Sequence, residues 1–74
     1  MRLLGVKMKL MVNGESFEHG GAALLPAVLT AYGVKPGARV AVVLNDEVVP
    51  ESRRGDAAVR EGDRIEILTF AGGG

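Results

Sequence analysis

Hydrophobic and polar positions alternate from the first clear element onward. Met8, Leu10 and Val12 fall on one side, while Lys7, Lys9 and Met11 fall on the other, which is the period-two pattern of a half-buried strand. Asn13-Gly14 follows at once. This pair favours the positive φ angles of a tight hairpin turn, so a short return strand is expected over about residues 15–18. Gly20-Gly21 breaks that strand, and the period then changes. Leu25, Val28, Leu29 and Tyr32 sit at i, i+3, i+4 and i+7, the spacing of one helical face. Pro26 suits a helix that begins at Leu24 or Leu25, because the first turn has no amide bond to lose. No Ser, Thr, Asp or Asn stands ready to cap that start, which leaves it open by a turn. Gly33 is placed to end the helix, and Pro36-Gly37 makes the next turn.

The run Val40-Ala41-Val42-Val43-Leu44 reads as a strand covered on much of both faces. Asn45-Asp46 turns it, Val48-Val49 returns, and Pro50 stops the pairing. Residues 51–58 are polar and read as an irregular surface loop. Glu61-Gly62-Asp63 launches a last strand, Arg64 to Phe70, with β-branched residues at Ile65, Ile67 and Thr69. The order predicts an α+β fold: a mixed sheet of four to five strands with one main helix packed on one face. The first and last strands should lie side by side at its centre. The helix stripe would meet a core that includes Leu10, Val12, Val42, Ile65 and Ile67. The domain is expected over residues 8–70, with 1–7 as an N-terminal extension and 71–74 as a flexible glycine tail.

A chain of 74 residues has room for one small domain, which buries only about 60% of its unfolded surface. A large enclosed active site is not expected. Cysteine is absent, so packed aliphatic residues must supply the stability. No internal thiol exists to take up an activated acyl group or hold sulfur as a persulfide. Nine Lys/Arg balance nine Asp/Glu, which argues against nucleic acid or an anionic membrane surface as the main partner. The balance is not local: residues 1–45 carry five basic and two acidic groups, and residues 46–74 carry four basic and seven acidic. The acidic half is either a solvated surface or a field that steers a basic partner. No apolar run approaches the ~20 residues a bilayer requires. Lys7 and Lys9 interrupt the faintly signal-like start Met1-Arg2-Leu3-Leu4. The expectation is an unexported, cytoplasmic protein.

Among the polar side chains, no set carries chemistry on its own. His19 is the single histidine and has no ligand-like spacing to another donor, so metal binding is not expected. Asp46-Glu47 sits at a turn, where adjacent carboxylates face water. The end of the chain is different. The last strand runs into Ala71-Gly72-Gly73-Gly74, and residues without Cβ can lie extended in a passage too narrow for any other. An α-carboxylate, with pKa ~3.5, is an anion at cellular pH and a nucleophile toward the α-phosphate of ATP. Terminal glycines equally suit a disordered tail or a cloning remnant. By alternation, Leu68 and Phe70 point away from the helix just upstream of the tail. They form either a docking patch or a minor cluster under the 51–58 loop.

Three stretches then act together. Lys9-Leu10-Met11-Val12-Asn13-Gly14-Glu15, Val48-Val49-Pro50, and Val59-Arg60-Glu61-Gly62-Asp63-Arg64-Ile65-Glu66-Ile67 before Gly73-Gly74 together resemble the ThiS sulfur-carrier family of ubiquitin-like β-grasp proteins. The resemblance covers nearly everything after residue 7. It implies a protein cosubstrate rather than an enzyme: a sulfur carrier of thiamin (thiazole) biosynthesis, adenylated and then thiocarboxylated at its terminal glycine. Carried over by position, Gly74 would be the acyl site, and Gly72 and Gly73 the slender segment in a partner's channel. The implied partners are a ThiF-like adenylyltransferase, a thiazole synthase and a sulfur donor such as a cysteine desulfurase relay. ATP and magnesium would belong to the adenylyltransferase, with no cofactor held by the carrier. Related MoaD-like carriers, for molybdopterin or other sulfur transfer, share the fold and the diglycine end. A β-grasp interaction module with inert glycines is the remaining alternative. Where family members frequently have an aromatic residue shortly after the Pro, this chain has Arg53 and Arg54.

Overall fold

The computed structural model describes residues 7–69. β1 (Met8–Val12) and β2 (Glu15–His19) form an antiparallel hairpin, and α1 spans Leu25–Tyr32. β3 (Val40–Leu44) and β4 (Glu47–Val49) make a second antiparallel hairpin. A short helix α2 covers Glu51–Arg54, and β5 (Arg64–Thr69) closes the fold. The sheet order is β2-β1-β5-β3-β4. β5 therefore takes the centre, parallel to β1 and antiparallel to β3, as the mixed-sheet expectation required. This is the β-grasp arrangement, with α1 packed on one sheet face.

The core follows the alternation of the strands. Leu10, Val12, Val40, Val42, Ile65 and Ile67 turn toward α1, which contributes Leu25, Val28 and Leu29. Phe17 and Tyr32 meet edge to face at the side of this cluster, with ring centroids 5.3 Å apart. α1 starts without a side-chain cap. Its orphan donors are met another way: Leu25 N–H donates to Ala57 O at 2.8 Å. At the other end Gly33 takes φ 113°. Gly33 N–H donates to Thr30 O and Val34 N–H to Leu29 O, the paired bonds of a Schellman ending.

Residues 51–58 correct the expectation of an irregular loop. Pro50 lies extended at the helix start with fixed φ, Glu51 stands in the first turn, and Arg53 and Arg54 stand in the last, an order that complements the helix dipole. Four residues are too few to show a 3.6-residue period, so the helix left no pattern to read. Arg54 also reaches back, donating from Nη2 to Val40 O at 2.8 Å. Beyond it, Ala58 bridges Leu24, and Val59 N–H donates to Ala23 O. That tether buries Val59 in the core, although a lone valine between Ala57-Ala58 and Arg60-Glu61 shows no period that would mark it.

Candidate functional site: the strand that leads to the glycine end

β5 is held along both edges. On the β3 side its register runs from Leu44↔Ile65 to Val40↔Thr69. On the β1 side pairing stops at Val12↔Ile65, where β1 turns away. Two asparagines, one from each hairpin turn, complete the hold. Asn13 (φ 52°) and Asn45 (φ 51°) both occupy the left-handed region at the first turn position, which asparagine tolerates better than most residues. Their side chains then reach the central strand. Ile67 N–H donates to Asn13 Oδ1 at 2.7 Å, and Arg64 N–H donates to Asn45 Oδ1 at 2.9 Å. Asn45 Nδ2 also donates to Asp63 Oδ1 at 3.1 Å. The sequence marks both asparagines as turn formers. Their second role depends on which strand lies alongside, and local pattern does not encode that.

The two faces of β5 differ sharply. Ile65 and Ile67 are buried under α1, whereas Leu68 is 52% exposed. Leu68 pairs with half-buried Ala41, and Val43 pairs with Val48, which is 70% exposed. Met11, 38% exposed, stands opposite Arg64 on the same face. The face is thus an exposed apolar strip interrupted by Arg64 and Glu66. Of the two readings of Leu68, a side chain covered by the 51–58 segment does not hold. Phe70, its expected companion, lies outside the described residues, as do Gly72, Gly73, Gly74 and all but the last residue of the 1–7 segment.

Thr69, the last described residue, lines an open groove of about 360 Å³ with Tyr32, Val34, Val40 and Ile67. A larger surface cleft, about 490 Å³, lies instead between β4 and α2 around Val48, Pro50, Arg53 and Asp56. It brings together no nucleophile and base. His19 is buried to 2% exposure, and its Nε2 donates to Ala22 O at 2.7 Å, while Nδ1 has no partner among the described residues. It thus packs as a core side chain at the end of β2. Among the described residues no three His, Cys, Asp or Glu side chains gather as a metal site. Asp46 faces water and pairs with Arg64, Nη2 to Oδ2 at 2.8 Å. That hydrogen bond, reinforced by the Asp46 charge, raises the Arg64 pKa above its ordinary value. No helix among the described residues is long and apolar enough to cross a membrane.

The described part of the molecule therefore offers a rigid strand, an exposed apolar strip and no internal reaction centre. A sequence model of the ThiS family matches residues 3–74, nearly the whole chain and through its glycine end. The chain belongs to the ThiS family. A solved structure of a ThiS thiamine biosynthesis protein from Geobacter metallireducens superposes with a TM-score of 0.75 at 36% identity, covering 90% of this chain and all of that one. Among curated proteins, a thiazole synthase from Paramagnetospirillum magneticum is 42% identical over 67 residues. Another, from Magnetococcus marinus, is 36% identical over 67 residues. In both cases 90% of this ThiS-family chain matches only 20% of the synthase, so the chain spans about a fifth of the length of these relatives.

Proposed function

We infer that this chain is a sulfur carrier for the thiazole ring of thiamin. It acts as a protein cosubstrate, with Gly74 as the site of modification. In the first step an oxygen of the terminal carboxylate attacks the α-phosphate of ATP, forming the acyl-adenylate and releasing pyrophosphate. In the second, a sulfide equivalent attacks the acyl carbon and AMP leaves, giving a thiocarboxylate. The carrier holds neither ATP nor magnesium; both belong to a ThiF-like adenylyltransferase that accepts the tail. A cysteine desulfurase relay is a suitable sulfur donor when a thiol reductant, itself oxidised to a disulfide, releases its persulfide sulfur at the sulfide level, and a thiazole synthase is the acceptor. Gly72 and Gly73 give the tail the slim profile needed to thread a narrow channel. Leu68 and Phe70 serve as the docking strip, Leu68 standing on the sheet face that also carries Met11 and Val48.

The observation that carries this reading is the full-length likeness to a ThiS thiamine biosynthesis protein, joined to a family match that runs through Gly74. The synthase relatives support the choice of acceptor, since a similar segment shares one polypeptide with a protein named for thiazole formation. The absence of cysteine from the chain supports the terminus as the only place for sulfur. The test is intact-mass spectrometry after incubation with a ThiF-type enzyme, ATP and a sulfur source. A mass gain equal to the replacement of one oxygen by sulfur is expected. An unchanged mass, with the enzyme proven active on another carrier, would overturn the reading. Rescue of a thiamin auxotroph, but not of a molybdopterin-deficient strain, would assign the pathway.

A further inference from the structure

At the root of the tail the two edges of β5 are secured unequally. Toward β3 the ladder continues through Val42↔Ile67, Ala41↔Leu68 and Val40↔Thr69. Toward β1, backbone pairing ends where Asn13 N–H donates to Ile65 O at 2.8 Å. The chain then turns at Asn13-Gly14, with φ 52° and 81°, and there is no further β1 residue for Ile67. Asn13 Oδ1 fills the place, accepting from Ile67 N–H at 2.7 Å. One residue thus makes two successive rungs, the first with its backbone and the second with its side chain. Among the described residues this is the last bond on that edge before Thr69, two positions on.

We propose that Asn13 is a positioning residue for activation of the tail: its side-chain carbonyl fixes β5 at Ile67 and so sets the direction in which the glycine end leaves the domain. The inference rests on the carrier reading above. The five residues after Thr69 span at most about 17 Å when extended, so a chain threaded into a deep site has little slack. A root that swings on one edge lowers the fraction of docked complexes in which the carboxylate reaches ATP, and a misplacement of about 1 Å at the reacting centre can cost about a hundredfold in rate. Docking through the exposed strip around Leu68 and Val48 would be untouched, because Asn13 lies outside it. The effect should therefore fall on kcat for adenylation and spare KM.

The comparison needs three variants. Asn13→Gly keeps the left-handed turn, which glycine adopts freely, and removes the side-chain acceptor at the cost of added backbone freedom, which Asn45→Gly shares. Asn13→Asp keeps an oxygen at the same reach and tolerates the same φ. Asn45→Gly removes the matching bond to Arg64 N–H at the far end of β5 and serves as the control for lost stability alone. Amide exchange at Ile67 in the free protein should accelerate in N13G and stay near wild type in N13D. ATP-pyrophosphate exchange with a ThiF-type enzyme, at temperatures where every variant is folded, should show kcat lowered on the order of tenfold in N13G, equivalent to one hydrogen bond. KM should be unchanged, N13D should recover kcat, and N45G should keep it. Equal kcat in N13G and wild type, an equal loss in N45G, or no recovery in N13D would overturn the positioning role while leaving the carrier reading intact. A wild-type chain that supports no exchange, beside a control carrier that does, would overturn the carrier reading and this inference together.

Discussion

The two faces of the central strand place apolar side chains in opposite surroundings. On one, Ile65 and Ile67 are sealed under α1. On the other, Leu68 is exposed, as are Val48 and Met11 on the same sheet face. Equally apolar side chains thus stabilise the fold on the first face and carry a standing cost in solvent on the second. The difference teaches that the face that stabilises the domain is separate from the face to which the proposed docking role is assigned.

The largest expected effect comes from breaking the covered face. Ile65→Ala removes buried methylenes and leaves a cavity, and chemical denaturation should show a loss of about 2–5 kcal/mol. For a domain this small, that is a large share of the total. Leu68→Asp on the bare face should barely move the denaturation midpoint. Instead it should weaken binding to the activating enzyme by about tenfold or more, as charging the centre of an apolar contact does. The pair of results would be reversed if the faces had been assigned wrongly. Gly33→Ala sits between these extremes. Open space surrounds its Cβ position, so the cost is backbone strain at φ 113° alone. About 1–2 kcal/mol should be lost, with no change in partner affinity. The smallest effect is expected for Asp46→Asn. It breaks the exposed pair with Arg64, and exposed pairs of this kind add little, so the melting temperature should be unchanged within error.

The pattern of the sequence made the covered face legible because strands and helices announce their buried sides by period. Leu10, Val12, Val42, Ile65 and Ile67 were readable as core for that reason, as were the α1 stripe and the two turns at Asn13 and Asn45. Adjacency of the first and last strands was also foreseeable. What escaped detection depends on contacts between distant segments. Val59 is buried by its tether to residues 23–25, and Arg54 is fixed by a carbonyl fourteen positions away. The two asparagine side chains act on a strand that becomes their neighbour only in the folded state. Helix α2 was missed for lack of length. The exposed strip was half legible: alternation singled out Leu68, whereas Val48 and Met11 joined it only once the strand order was known. Gly72, Gly73 and Gly74 lie outside the described residues, and the role proposed for them comes from the family resemblance rather than from the glycine run alone.

The central claim is that the domain presents the tail and that the tail alone is modified. It is tested most directly by intact-mass spectrometry on two chains treated in parallel with a ThiF-type enzyme, ATP and a sulfur source: the wild type and a version lacking Gly74, each with its folded amide spectrum recorded beforehand. The account predicts matching spectra and a sulfur-for-oxygen mass gain in the wild type only. The same gain in the shortened chain, or collapse of its spectrum, would contradict it.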